Sequence, residues 1–511
     1  MLVKVFGSAV FGVDATTITV EVNTEKGIGY HLVGLPDSSI KESCFRIAAA
    51  LKNNQLHFPG KKIIVNMAPA DLRKEGSAYD LTIAVGILAA SNQINSDDIK
   101  NYIIMGELSL DGSLQPIKGA LPIAIKAREE GFKGFFLPKQ NANEAAIVTG
   151  LDVYGIDNVK EIVAFFEGDN KLEPVTINTR EEFYKTLDFP EFDFAEVRGQ
   201  DSIKRCMEIA AAGGHNIILI GPPGSGKTML AKRLPSILPP MTLKEALETT
   251  KIHSVAGKVR DAGLMNQRPF RAPHHSSSSV SLVGGGSYPQ PGEISLAHNG
   301  VLFLDELPEF KREVLEVMRQ PLEDREVTIA RAKFTITYPS SFMLVASMNP
   351  SPGGYFNDPN APVYSSANEM QKYLSKISGP LLDRIDIHIE VNPVPFEKLT
   401  ENKPAESSLE IRKRVSKARA LQTNRFESFN HIHYNAQMTT KQIREYCALD
   451  ATSLALIKTA MEKLNLSARA YDRILKVSRT IADLENSESV QSHHIAEAIQ
   501  YRSLDREGWL G

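Results

Sequence analysis

Residues 221 to 228 read GPPGSGKT; the apolar run NIILI precedes them, and KTMLAKRL, with helical spacing, continues from Lys227. A buried strand, a glycine-rich turn and a helix in this order predict a phosphate-binding loop at a helix N-terminus. The glycines let backbone N–H groups face phosphates without a Cβ clash. Lys227 is expected to reach the β and γ phosphates, and Thr228 to ligate magnesium. The predicted nucleotide-binding residues of the loop are Gly221, Pro222, Pro223, Gly224, Ser225, Gly226, Lys227 and Thr228.

A second apolar run, VLFLDE at 301 to 306, closes with two adjacent carboxylates. Asp305, at the end of a strand, is placed to hold magnesium through its water shell. Glu306 is the candidate base that orients the attacking water. The alternative is an acidic pair that caps a helix. Together with the glycine-rich loop, the pair predicts ATP and Mg²⁺ as cofactors and ATP hydrolysis as the reaction.

Composition favours a multidomain enzyme. A chain of 511 residues exceeds the size at which single cores stop growing and is expected to hold about three domains. The net charge of −3 argues against a wholly basic nucleic-acid binder, so any polyanion contact must be a local patch. The scattered Cys44, Cys206 and Cys447 disfavour both a disulfide framework and a zinc site and indicate a cytoplasmic location. No run is long enough for a membrane span, and LTIAVGILAAS at 81 to 91 is expected to be a core helix.

Changes in composition suggest domain boundaries. Residues 1–166 alternate strand-like and helical stretches, and the polar, proline-punctuated residues 167–194 are expected to be a linker. The ATPase core is placed at 195–394. Helical patterns dominate 395–511, with start signals at Thr439, Ser467 and Ser492. This last part is expected to be a helical lid.

Three long segments, 202–240, 268–310 and 466–485, closely resemble the magnesium chelatase-like AAA+ ATPases of the YifB/ComM group. The resemblance spans nearly the whole chain. It implies an α/β core with a doubly wound parallel sheet, a helical lid, and a homohexameric ring with ATP at the subunit interfaces. It also implies DNA and recombination proteins as partners, without membrane association.

The resemblance assigns further nucleotide-site residues. Val197 and Gln200, in the segment VRGQ, are implied to line the adenine pocket, with an ordinary glycine turn as the alternative. Asn349 ends the apolar run SFMLVASMNP and matches the first sensor, which would hold the attacking water. The alternative for Asn349 is a strand-end residue that caps a turn.

Two arginine assignments also rest on the resemblance. Arg384, in LLDRIDIHIEV, matches the arginine finger, which would stabilise phosphoryl charge in a neighbouring subunit's site. The alternative is a surface ion pair with Asp383 or Asp386. The second sensor would be Arg469 or, one helical turn later, Arg473.

Three basic segments are candidates for contact with DNA. EDREVTIARAKFTITYP at 323 to 339 predicts a hairpin around Arg331 and Lys333, matching one that projects into the channel of related rings; the alternative is a solvent-exposed tip. RPFRAPHHSSSSVSLVGGGS at 268 to 287 contains an adjacent histidine pair, for which a loop that senses nucleotide or touches DNA is favoured over a metal site. IRKRVSKARA at 411 to 420 is either a DNA-facing helix or a solvated basic face.

The segments 67–91 and 106–141 resemble the Lon protease-like fold, in the form fused to the recombination ATPase RadA. A working site of that kind needs a serine nucleophile and a lysine base. On the aligned pattern, Ala78 and Leu121 occupy those two positions, while Ser77 and Lys118 are offset in register. We therefore expect an α+β domain without proteolytic activity that builds the ring or binds DNA.

The residues and the resemblance together favour an ATP-dependent motor on single-stranded or branched DNA, acting in strand integration and recombination. Three alternatives stay open. One is a protein-remodelling ring without a nucleic-acid role, and another is metal insertion, which in true chelatases needs a partner with a metal-binding domain. The third, an ATP-dependent protease, is weakened by the displaced serine and lysine.

Overall fold

The computed structural model describes residues 1–74, 76–168, 172–185, 192–259, 263–286, 289–331, 334–351, 367–395, 398, 405–429 and 431–502. The strands are β1 Leu2–Phe11, β2 Asp14–Glu25, β3 Gly29–Val33, β4 Lys62–Ala68, β5 Tyr102–Ile104, β6 Glu107–Leu108, β7 Leu114–Gln115, β8 Gly134–Pro138, β9 Asp152–Ile156, β10 Ile217–Ile220, β11 Phe270–Arg271, β12 Gly284–Gly285, β13 Gln290–Pro291, β14 Val301–Leu304, β15 Glu326–Arg331, β16 Phe334–Pro339, β17 Met343–Met348 and β18 Ile387–Glu390.

The helices of the described residues are α1 Ser38–Asn53, α2 Asp80–Ala90, α3 Ala120–Glu129, α4 Lys139–Ala146, α5 Val159–Glu167, α6 Thr179–Lys185, α7 Asp201–Gly213, α8 Lys227–Ile237, α9 Leu243–Val255, α10 Ser279–Val283, α11 Glu293–Leu296, α12 Arg312–Glu316, α13 Arg319–Asp324, α14 Ala367–Leu374, α15 Gly379–Leu382, α16 Ser408–Arg425, α17 Thr440–Tyr446, α18 Ala451–Lys463, α19 Ala468–Leu484 and α20 Ser492–Gln500. None of these helices is both long and apolar enough to span a membrane.

The chain forms two compact units. The first contains Met1–Leu187 and Thr242–Asn266, and the second contains Asp188–Met241 and Gln267–Gly511. The segment Thr242–Asn266, counted with the ATPase core on sequence grounds, thus lies in the first unit. The segment predicted as a linker contains helix α6.

The first unit is built on a seven-stranded mixed sheet in the order β3-β4-β2-β1-β5-β8-β9. Strands β1, β2 and β4 pair antiparallel, while β1, β5, β8 and β9 run parallel to one another. Helix α2 is buried at every position, which confirms the prediction of a core helix in the stretch LTIAVGILAAS. A helix that is apolar all round needs protein on every side, so α2 lies at the centre of this unit's core.

Helix α9 is held in the first unit by a buried carboxylate. Glu144 accepts hydrogen bonds from the backbone N–H of Leu121 and from the Ser254 hydroxyl of α9. The Gly119 N–H donates to the Ser254 carbonyl at 3.1 Å. Burial raises the pKa of Glu144, and these donors stabilise its ionised form. The segment that leaves the second unit after Met241 is therefore anchored by specific polar contacts.

The positions aligned with a protease site carry no serine–lysine pair. Leu121 is fully buried, and the Ser77 hydroxyl donates to a carboxylate oxygen of Glu107. A carboxylate partner does not supply the base that a Lon-type serine needs. The likeness of this unit to the Lon fold remains a prediction.

The second unit contains a parallel five-stranded sheet in the order β11-β14-β17-β10-β18. Strands β10, β14 and β17 are buried throughout, as expected for a parallel sheet covered on both faces. This mixed α/β architecture agrees with the AAA+ class predicted above. Because the carboxyl ends of parallel strands meet at one edge, the residues after β10, β14 and β17 come together there.

Helices α16 to α20 also belong to the second unit. Thr439 and Ser467 are N-caps, as predicted; the Ser467 hydroxyl accepts from the Ala470 N–H, and the Gln442 side chain accepts from the N–H of Thr439. The predicted start at Ser492 is off by one residue, because the cap of α20 is Gln491. In this capping box the side chain of Gln491 takes the place of the usual serine or threonine. Nδ1 of His494 accepts from the N–H of Gln491, where a glutamate or glutamine is usual.

Three arginines of the basic stretch at 411 to 420 have partners within the chain, and the role of the stretch in DNA contact stays a prediction. Arg412 donates to the Ser236 carbonyl, and Arg414 pairs with Glu208. Arg419 donates to the Ala211 carbonyl and lies over an aromatic ring. These arginines fasten α16 to the ATPase core, so their cationic groups have intramolecular partners.

Candidate active site

The glycine-rich loop lies between β10 and α8. A Cβ on Gly221 would lie 2.3 Å from the Val391 carbonyl oxygen, so only glycine fits at this strand end. Gly224 and Gly226 adopt φ values of 77° and 91°, which other residues rarely accept. The loop thus delivers its backbone to the N-terminus of α8, where anions are favoured.

The Lys227 ammonium bridges the loop. It donates to the carbonyls of Gly221 at 2.6 Å and Pro222 at 2.9 Å, and to Oδ1 of Asn349 at 3.2 Å. Burial lowers the pKa of Lys227, and the charges of Asp305 and Glu306 oppose that change. Phosphate oxygens would offer the same ammonium stronger, charged acceptors at the same place.

Asp305 and Thr228 lie side by side, as predicted for a magnesium site. The Thr228 hydroxyl donates to Oδ2 of Asp305 at 2.9 Å, and the Ser347 hydroxyl donates to Oδ1. A hydroxyl beside an oriented carboxylate is the hard-oxygen donor set that Mg²⁺ prefers, so these residues fit the ion.

Glu306 has an unusual backbone conformation for a glutamate, with φ of 53°. Its N–H donates to Oδ1 of Asp305 at 3.2 Å, while its side chain caps no helix. Glu306 stands at the N-cap position of the short 3₁₀ turn Leu307–Glu309, without a side-chain capping hydrogen bond. The turn leaves its carboxylate about half exposed, with Oε2 3.5 Å from Nδ1 of His275.

The adenine and sensor candidates adjoin the same loop. The Gln200 amide donates to the carbonyls of Ser225 at 3.0 Å and Asn392 at 3.2 Å. Val197 is buried, and Asn349 follows β17 and meets Lys227. The described structure thus gathers these predicted residues around the loop, and their roles stay predictions.

Arg384 is buried, although its carboxylate partner is exposed. Its guanidinium contacts a carboxylate oxygen of Glu323 on α13 and the Pro380 carbonyl. The predicted alternative, a surface ion pair of Arg384 with Asp383 or Asp386, is wrong. These two aspartates point to other arginines, because α19 packs against the turn that carries them.

Both second-sensor candidates on α19 bind the turn beside Arg384. The exposed Arg469 pairs with Asp383 at 2.9 Å. Arg473, more buried, donates to the Asp383 carbonyl at 2.7 Å and pairs with Asp386. Asp386 also contacts His215 Nδ1 at 3.1 Å. Although burial alone would raise the pKa of Asp386, Arg473 and His215 hold it well below its usual range.

We expect Asp386→Ala to lower the free energy of unfolding by about 3–5 kcal/mol, since it leaves partly buried Arg473 without its anion. Asp383→Ala is the matched control, because its pair with Arg469 is largely solvated and worth about 1 kcal/mol or less. Urea midpoints of the two variants measure the difference. Equal midpoints would show that the Asp386 pair does not stabilise the joint between α19 and the core.

The β-hairpin that is a candidate for DNA contact forms as predicted. Strands β15 and β16 pair antiparallel, with Arg331 opposite Phe334. Lys333 lies outside the described residues. The base of the hairpin packs in the second unit, where the Tyr338 hydroxyl donates to the Pro289 carbonyl at 2.8 Å.

The sequence did not reveal how three residues contribute to the site. Ser347 was visible only as a polar residue in a buried apolar run, and it orients Asp305. Glu323, which holds Arg384, has no local signal, because the partners are 61 residues apart. His275 was singled out as part of a sensing loop, without a partner.

Comparisons of the sequence with known proteins place the chain among magnesium chelatase-like proteins. Three family profiles match: "Magnesium chelatase, subunit ChlI" at residues 193–399, "Subunit ChlI of Mg-chelatase" at 20–141, and "Magnesium chelatase, subunit ChlI C-terminal" at 405–502. The chain is 44% identical to competence protein ComM of Haemophilus influenzae over 99% of this chain and 98% of that protein. It is 42% identical to YifB of Escherichia coli, over 98% and 96%. A chloroplastic magnesium-chelatase subunit ChlI from rice is 22% identical over 40% of this chain and 50% of that protein.

Proposed function

Because the chain belongs to the magnesium chelatase-like AAA+ ATPase family that includes ComM and YifB, we propose that it is an ATP-driven motor on single-stranded or branched DNA. The observation that carries the ATPase part is the meeting of Lys227, Thr228 and Asp305 at one sheet edge. The DNA part is supported by the full-length similarity to a protein named for competence and by the hairpin of β15 and β16.

Each residue has a chemical role in this proposal. The loop N–H groups and Lys227 bind the triphosphate, while Thr228 and Asp305 hold Mg²⁺. The ion would neutralise charge on the β and γ phosphates. Glu306 orients the attacking water, and Asn349, placed beside Lys227, senses the γ-phosphate.

We also propose that hydrolysis occurs between copies of the chain in a homohexameric ring. Arg384 would then leave Glu323 and Pro380 and meet the phosphates bound to a neighbouring copy. Exchanging a carboxylate partner for a more highly charged phosphate is electrostatically favourable for a guanidinium. Arg469, on α19 beside the same turn, would approach that neighbour's nucleotide together with it.

We expect Arg384→Ala to reduce ATP turnover by about 10³-fold or more, the usual worth of an arginine finger, without weakening nucleotide binding. Mixing it with an Asp305→Asn variant should restore activity, since each supplies what the other lacks at one interface. Arg319→Ala, at a partly exposed arginine on α13 that pairs with Glu316, is the control. Mixtures that stay inactive would contradict action between copies.

The decisive experiment measures ATP turnover with single-stranded, forked and four-way DNA, and with protein alone. Stimulation by branched DNA is expected. A variant with Arg331→Ala and Lys333→Ala should bind DNA with a shallower salt dependence. With fewer phosphates neutralised by the protein, fewer counterions are released on binding. Indifference of turnover to every DNA would reject the motor and leave the protein-remodelling alternative.

A further inference from the structure

The histidine pair after β11 reaches the hydrolysis site. Nδ1 of His275 lies 3.5 Å from Oε2 of Glu306, and both side chains are partly exposed. The segment therefore comes close to the candidate base itself, although its sequence indicates only a polar loop. The adjacency is a tertiary one, because 31 positions of chain separate the two residues on the numbering of the sequence.

The imidazole of His275 is held in place by its neighbours. Its ring lies beside that of His274, tilted by 35° with centroids 4.1 Å apart, and makes an edge contact with the ring of buried Phe310 at 6.4 Å between centroids. Nδ1 of His274 is in turn 2.8 Å from the Ser276 hydroxyl. A ring packed between two other rings has few alternative positions, so His275 presents Nδ1 in a defined direction.

Both ends of the segment are anchored as well. Before the histidines, Arg271 forms a two-pronged ion pair with Glu293, at 2.6 and 2.7 Å. After them, Ser278 caps α10, and Gly284 pairs with Pro291. The segment is therefore a structured strap across this side of the site.

We propose that His275 is a positioning residue for Glu306. Its Nδ1–H donates to Oε2 and fixes the rotation of the carboxylate, which leaves Oε1 to accept a hydrogen bond from the attacking water. A base that is itself oriented by a hydrogen bond is the arrangement that efficient proton acceptors use. This inference rests on the proposed ATPase role of Glu306.

The proposal makes a specific demand on the side chain at position 275. Asparagine can place an amide N–H where Nδ1 of histidine lies, whereas alanine cannot. We expect His275→Ala to lower kcat for ATP about tenfold, with unchanged KM and unchanged affinity for a fluorescent ATP analogue measured in EDTA. His275→Asn should recover most of that loss. Val280→Ser, at an exposed position of the same strap, should behave as the wild type.

A double-mutant cycle with Glu306→Gln isolates the pair. If His275 acts through Glu306, adding His275→Ala to Glu306→Gln should cause no further loss of turnover. The proposal would be overturned if the kcat losses of the two single variants multiplied in the double variant. Equal losses of kcat in His275→Ala and His275→Asn, or a wild-type kcat in His275→Ala, would also overturn it. Thermal melts of each variant identify one that fails to fold, and the asparagine variant then decides.

The two levels of inference fail differently. A wild-type protein without ATP turnover would reject the proposed function. Normal wild-type turnover that Glu306→Gln abolishes, with His275→Ala as active as the wild type, would reject the positioning role alone.

Discussion

Lys227→Ala is expected to weaken ATP binding by about a hundredfold or more. The ammonium makes charge-assisted hydrogen bonds, each worth about 1.5–3 kcal/mol, and its removal takes away the cation closest to the phosphates. The Gly221 and Pro222 carbonyls, its present acceptors, would then face the phosphates without a bridging cation. Titration with a fluorescent ATP analogue, with and without Mg²⁺, measures the loss.

Lys232→Ala is the matched control, since it removes the same charge from an exposed position on the same helix, α8. It should leave the affinity within about twofold of the wild type, because exposed charges are screened by solvent. Removing buried Lys227 should change thermal stability little, since the lost hydrogen bonds are offset by relief of its burial cost. Tight ATP binding by Lys227→Ala would contradict the phosphate role of the loop.

The nucleotide loop could be predicted from sequence because its determinants are local. Gly221, Lys227 and Thr228 occupy fixed places in one continuous turn, between a strand and a helix that periodicity reveals. Asp305 was accessible for a related reason, since an acid closing a buried parallel strand must emerge at the shared edge of the sheet. The described geometry places these residues together as expected.

The remaining features depend on contacts that no local pattern encodes. Arg384 was singled out from the sequence for another role, and its partner in the structure, Glu323, lies on a helix distant in sequence. The helical start of α9 is visible in the chain, yet its place in the first unit is decided by the buried contact between Ser254 and Glu144. The partnership of His275 with Glu306 likewise emerges only once the strap is folded. Tertiary packing, and not propensity, decides each of these cases.

Glu306→Gln is expected to bind ATP normally and to hydrolyse it at least about a hundredfold more slowly. Glutamine has the same shape and can still meet Nδ1 of His275, but its neutral amide is a poor proton acceptor for the attacking water. The φ of 53° at this residue is retained, since the side-chain change does not alter the backbone requirement. The variant should therefore keep ATP bound without hydrolysing it for long periods.

Single-turnover hydrolysis and release of a fluorescent ATP analogue separate the two effects of Glu306→Gln. Glu309→Gln is the control, because it makes the same charge change three residues later, at an exposed acid that pairs with Lys376 at 3.3 Å. It should hydrolyse ATP at the wild-type rate. Wild-type turnover in Glu306→Gln would show that another residue is the base, and the proposed role of His275 would then be rejected as well. Slow turnover combined with weak binding would instead show that Glu306 shapes the nucleotide pocket, since loss of a base alone leaves ground-state affinity intact.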